Sequence, residues 1–143
     1  MKSTYLEPSW EAGRALVRRR IDGELVMLNL LRFRKIADYS ASPELAPSQP
    51  ITGAEAYERY VAHTLPLLRK SGGDLLFAGE GGPFLIGPDE EHWDRAMLIR
   101  QKSTGAFMAL AVAEAYQAGI GHRTAALSDS RLLPLIELPR CWT

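Results

Sequence analysis

Glu24-Leu25-Val26-Met27-Leu28-Asn29-Leu30-Leu31-Arg32-Phe33-Arg34 is the longest nearly unbroken apolar run in the chain, and Asp22-Gly23 in front of it is a turn signal. A run of this length bounded by turn chemistry reads as a buried strand, and no capping residue at its start speaks for a helix. At the two-residue period of a strand, Leu25, Met27, Asn29, Leu31 and Phe33 share one face and Val26, Leu28, Leu30 and Arg32 the other. Both faces are apolar, so both require cover.

Upstream, residues 8–20 read as a helix. Pro8 suits its first turn, Arg18-Arg19-Arg20 its C-terminal end, and Trp10, Gly13, Leu16 and Val17 form a weak apolar stripe. Downstream, residues 35–51 carry three prolines and three serines and read as a loop without regular structure. Thr52-Gly53-Ala54-Glu55 is a capping box that opens a helix with Tyr57, Tyr60, Val61, Thr64 and Leu68 on one stripe. Asp74–Gly79 reads as a second strand that resumes at Pro83–Ile86 after a bulge at Glu80-Gly81-Gly82, and Trp93–Gln101 as a third. Ser103 caps a helix that runs through Phe107, Met108, Ala111, Val112 and Tyr116. The last strand is expected around 131–138.

After the first helix the order is β-α-β-β-α-β, which folds most simply as an α+β sandwich of ferredoxin-like type: a four-stranded antiparallel sheet with two helices on one face. Strands one and three are central in that topology, so the uncovered face predicts a homodimer.

Length and composition describe one domain: 143 residues, 46% apolar, 24% charged, with 17 basic side chains balancing 17 acidic ones. Zero net charge provides no global attraction to nucleic acid or anionic lipid. One cysteine, Cys141, cannot make an internal disulfide, and the N-terminus has no secretory pattern; the expected setting is the cytoplasm, without membrane insertion.

The segments Met27-Leu28-Asn29-Leu30-Leu31-Arg32-Phe33-Arg34, Ala37-Asp38-Tyr39 and Gly53-x-Glu55-Ala56-Tyr57-x-x-Tyr60 resemble domain-of-unknown-function family 1330, as do Trp93-Asp94 and Tyr116-Gln117 before Arg123. The resemblance spans about residues 22 to 133. It implies a dimeric α+β barrel, in which two ferredoxin-like sheets close on each other. Relatives of that barrel include cofactor-free monooxygenases, lactone isomerases, haem enzymes and proteins without known reaction, so it implies no particular activity. The helix at 8–20, the loop at 40–50 and the tail 134–143 depart from the family pattern.

Among side chains that could carry chemistry, Asn29 stands out as an amide inside a buried run. Tyr57 and Tyr60 bring hydroxyls to an otherwise apolar stripe, and Arg123 offers a two-pronged anion contact. His63 is the best general base by residue type, with Tyr60 as the alternative proton carrier. Asn29, Tyr57 and Arg123 are thus candidate ligand contacts, and His63 and Tyr60 candidate catalytic groups. The three histidines have no metal-ligand spacing, nothing marks one as a haem ligand, and there is no phosphate-binding glycine loop; no cofactor or metal is called for. Two readings follow: a pocket between sheet and helices for a small organic acid or aromatic compound, possessing a cofactor-free reaction or none, and a non-catalytic homodimer with a structural or interaction role.

Overall fold

The computed structural model describes residues 3–139; the expectations for Cys141 and for the end of the tail lie outside them. The apolar run forms strand β1 (Leu25–Phe33), despite its leucines. Its burial alternates at the strand period: Leu25, Met27, Asn29 and Leu31 are buried, and Val26, Leu28 and Leu30 are half-buried. Strands β2 (Asp74–Pro83), β3 (His92–Gln101) and β4 (Leu127–Leu135) complete one sheet in the order β2-β3-β1-β4, and every neighbouring pair is antiparallel. With helices after β1 and after β3, this is the ferredoxin-like arrangement that the element order predicts.

The helices that bury side chains against the sheet cover the face of Leu25, Met27 and Leu31. Helix α1 (Trp10–Arg18) sets Leu16 against Leu25 and Met27, beside Phe107 and Met108 of α3 (Thr104–Val112). Helix α2 (Gly53–Lys70) sets Ala56 and Tyr57 into a second cluster with Leu31, Met97, Leu127 and Ala125-Ala126 of α5 (Ile120–Ala126). The capping box forms as expected, with Thr52 accepting from the Glu55 amide and the Glu55 carboxylate accepting from the Thr52 amide. Burial of these side chains is the main term that holds the layers together, at ~25 cal/mol per Å² of apolar surface.

Several local expectations are corrected. The helix after Ser103 does not run through Tyr116: Ala113 is extended (φ −66°, ψ 136°), and the chain restarts as α4 (Glu114–Gln117) before α5. Residues 123–126 are therefore helical, and β4 begins at Leu127, four residues before the expected start. Local pattern hid this because Arg123-Thr124-Ala125-Ala126 is short and its burial against α2 decides its state. Strand β2 runs unbroken to Pro83 and does not resume at 84–86; its register shift lies between Leu75 and Phe77, upstream of the glycines. A single 3-10 turn, Pro43–Leu45, interrupts the loop expected to lack regular structure. In α1 only Leu16 is buried, while Trp10 and Val17 are exposed.

The loop between β1 and α2 is fastened rather than free. The Ala37 amide donates to the Ile51 carbonyl and the Asp38 amide to that of Ala125, and Tyr39 is buried with its hydroxyl 2.7 Å from Nδ1 of His122. Burial, helped by the positive Arg59 and by His63, holds the His122 pKa below its ordinary value, so the folded protein keeps a neutral ring that can accept the Tyr39 proton. An unfolded chain takes up a proton at His122 near pH 6.5, where the folded one resists it. This contribution to stability is complete above that pH and is lost as pH falls through the lower native value. The melting temperature should accordingly fall between pH 7 and pH 5, and His122→Gln should flatten that part of the profile. An unchanged slope in the variant would assign the loss to other groups.

Candidate functional site

A cavity of about 560 Å³ opens between the first half of α2 and the β2–β3 side of the sheet. Its lining combines the apolar side chains Phe33, Val61, Leu75 and Met97 with Glu58, Glu80, Asp94 and Arg95. Helix periodicity explains the α2 wall, because Ala54, Glu58 and Val61 recur at i, i+4 and i+7. Arg95 lies opposite Glu80 in the β2–β3 pairing and opposite Leu31 in the β1–β3 pairing, which directs it to the helix side. There its guanidinium donates to Glu58 Oε1 at 2.6 Å and rests 5.1 Å from the Phe33 ring centroid. Asp94 accepts the Phe33 amide at 2.8 Å, just where β1 parts from β3. Three carboxylates face one guanidinium in this lining. The cavity is electronegative and favours ligands that carry hydrogen-bond donors or positive charge.

None of the five candidates from the sequence lines this cavity. Three of them come together beside it. The Tyr57 and Tyr60 ring centroids are 5.2 Å apart, the Phe33 ring lies tilted with its centroid 5.5 Å from that of Tyr57, and the Tyr60 hydroxyl meets that of Tyr116 at 2.8 Å. Burial pushes the Tyr57 pKa up to about 12, against the opposing pull of the nearby Arg123 charge, and pushes Tyr60 well above its ordinary value. Both phenols are held protonated and are poor bases at neutral pH. Arg123 donates to the Leu6 carbonyl and to the Ser130 hydroxyl, tying the N-terminal segment to β4. His63 stands apart: its Nε2 lies 2.7 Å from the Ala115 carbonyl, and Gly119 packs against its ring so closely that a Cβ there would collide. That contact joins α2 to α4.

Asn29 lies on the helix side, opposite Met97, between the cluster of Leu25 and Met27 and the cluster of Leu31. Its Nδ2 donates to the Met27 carbonyl of its own strand at 3.2 Å, a single bond from a side chain that can make four. An amide used so sparingly costs stability where a leucine would gain it. Asn29→Leu is therefore expected to stabilise the protein by ~1 kcal/mol in chemical denaturation. A loss of comparable size would mark the amide as structural.

Glu58, Glu80, Asp94 and Arg95 are not among the candidates drawn from the sequence. The i, i+4, i+7 spacing of Ala54, Glu58 and Val61 was legible there, but only strand pairing brings Arg95 to Glu58. Among the described residues, no three His, Cys, Asp or Glu side chains gather as a metal site. No helix among them is long and apolar enough to cross a membrane.

No family model matches the chain, and no curated protein matches it significantly. The RPA0582 protein of Rhodopseudomonas palustris, whose crystal structure is described as that of a protein of unknown function, is 33% identical with a TM-score of 0.80, over 96% of this chain and 99% of that one. A methylated form of RPA0582 matches at 33% identity and a TM-score of 0.84, over 98% and 99% of the two chains. A dimeric ferredoxin-like protein of unknown function from Jannaschia sp. CCS1 is 17% identical at a TM-score of 0.45, over 80% of this chain and 100% of that one, a likeness too weak to carry any conclusion. At one third identity over nearly the full length of both chains, this protein belongs to the same family as the RPA0582 protein of Rhodopseudomonas palustris.

Proposed function

We propose that this protein is a homodimeric α+β barrel, akin to domain-of-unknown-function family 1330, that binds a small organic molecule in the cavity between α2 and the sheet. The observation that carries the reading is the cavity itself: about 560 Å³, within the ~300–1,000 Å³ of small-molecule sites, with an apolar floor and a few charged groups on its wall. Three carboxylates against one guanidinium favour an aromatic or apolar compound bearing an amine or hydroxyl over an organic acid at this place. The dimer is supported by the other sheet face, where Val26, Leu28, Leu30 and Leu98 are half-buried and Phe77 and Leu133 are more than half exposed in a single chain.

Binding is favoured over catalysis because the proton carriers are occupied: His63 with the Ala115 carbonyl, Tyr60 with Tyr116. The same engagements support the second reading, a non-catalytic dimer whose polar groups only join its helices. Tyramine, an aromatic amine, separates the two. At millimolar concentration it should raise the melting temperature by a few degrees, and Ala54→Phe, which fills the cavity from α2, should remove the shift. No shift in the wild type, or a shift that survives Ala54→Phe, would overturn the cavity as the binding site.

A further inference from the structure

The uncovered sheet face carries, at one end, a group of side chains unlike the cavity in every respect. Trp93 is buried at 4% exposure, and the Arg32 and Arg131 guanidiniums lie 4.8 Å and 5.0 Å from its ring centroid. Arg131 also lies 4.8 Å from the Tyr5 ring, so ring and cation alternate through Tyr5, Arg131, Trp93 and Arg32. Among the described residues one carboxylate, Asp129, serves both cations, with Arg131 Nη1 at 2.7 Å and Arg32 Nη1 at 3.6 Å. Two guanidiniums and one carboxylate leave one positive charge.

The donors left over are specific. Arg32 places Nε and Nη2 on the His92 carbonyl, and Arg131 places Nη1 on Asp129 and on the Ser130 carbonyl. Nε and Nη2 of Arg131 have no partner among the described residues, nor has the buried Nε1–H of Trp93. A planar edge carrying two free N–H groups is the shape that a carboxylate engages with both oxygens.

Apolar side chains begin directly beside that edge. Arg131 lies opposite Leu30, which lies opposite Ala96; the next row on the same face is Leu133, Leu28 and Leu98. Successive rows on one face are ~6.8 Å apart, so a chain of about eight carbons fixed at Arg131 reaches beyond Leu133.

We propose that this end of the open sheet face is a second ligand site, which takes the carboxylate of an amphipathic organic acid on Arg131 and lays its apolar part over Leu30, Leu28, Leu133 and Leu98. The proposal rests on the dimer reading in one respect: the partner's sheet would roof the apolar part, which water would otherwise bathe. From the sequence, a small organic acid is expected between sheet and helices; the proposed site moves that class of ligand to the opposite face of the sheet.

Titration calorimetry of the full chain with octanoate, octanol and inorganic phosphate tests the proposal, alongside light scattering of each protein form. Octanoate should bind more tightly than octanol or phosphate by at least tenfold. Arg131→Gln should weaken octanoate at least tenfold and leave octanol unchanged, and Arg131→Lys should recover part of the loss; circular dichroism verifies that both variants are folded. Phosphate that binds as well as octanoate would reduce the site to a general oxyanion contact and overturn the assignment. So would octanoate affinity that Arg131→Gln does not change, or no octanoate binding at millimolar concentration. A monomer that binds octanoate through Arg131 would uphold this site while removing the dimer.

Discussion

Gly53→Ala is expected to lower the melting temperature by about 10 °C, among the largest effects open to a single methyl group in this chain. Gly53 is the first residue of α2, where three backbones meet. Its amide donates to the Arg34 carbonyl at 3.0 Å, and the Arg34 amide donates to the Ala126 carbonyl at 2.8 Å. A Cβ on Gly53 would collide with the Arg34 carbonyl oxygen, lie 2.6 Å from that of Ala126 and 2.8 Å from the Arg34 nitrogen. All three obstacles are main chain, so no side-chain rotation relieves them. The end of β1 would have to move away from the start of α2 and the end of α5, loosening the two hydrogen bonds that tie it to them. Overpacking of this kind costs ~3 kcal/mol. Gly82→Ala is the control, since nothing lies within 4 Å of the Cβ it would add. Thermal unfolding of both variants decides: equal, small losses would mean that the junction is looser than its distances indicate.

Leu28→Asp should abolish association while leaving the single chain folded. Leu28 is half-buried on the open face, midway between Leu98 of β3 and Leu133 of β4. In a monomer the new carboxylate reaches water, so the cost to folding is small. In a two-fold interface the substitution appears twice, and each carboxylate loses its water among leucines at a cost of ~2 kcal/mol or more. Two such losses weaken the dimer by about a thousandfold. Light scattering across micromolar concentrations should show a dimer for the wild type and a monomer for the variant, with unchanged far-ultraviolet circular dichroism. A dimeric variant would move the interface elsewhere, and the exposed hairpin tip at Leu85 and Ile86 would be the next surface to test.

The exposure of that tip shows how far local pattern reaches. Leu85 and Ile86 follow Pro83-Phe84 as a strand would, and the period-two reading placed them in β2; they stand instead at 99% and 92% exposure past its end. The four residues before β4 erred in the opposite way, helical in the fold because α2 packs on them. In both places the sequence window is too short for its own periodicity to decide, and burial from a distant element does.

Strand β1, the capping box at Thr52 and Glu55, the Ser103 cap and the order of the four strands, with helix after β1 and after β3, were determined by the sequence alone, because each rests on contacts or periods within a few residues. From these the ferredoxin-like topology followed, with β1 and β3 at the centre. The candidate sites were not so determined. Asn29, Tyr57, Tyr60, His63 and Arg123 were chosen by residue type, yet what each does depends on partners far along the chain: Tyr116 for Tyr60, Ala115 for His63, Leu6 and Ser130 for Arg123. Arg95 reaches Glu58 across 37 residues, and Arg32 and Arg131 meet over Trp93 only because β1 lies between β3 and β4. Hydrogen bonds and charge pairs act over a few ångströms in space whatever the separation in sequence, so only the tertiary structure could decide which polar groups are spent and which remain free.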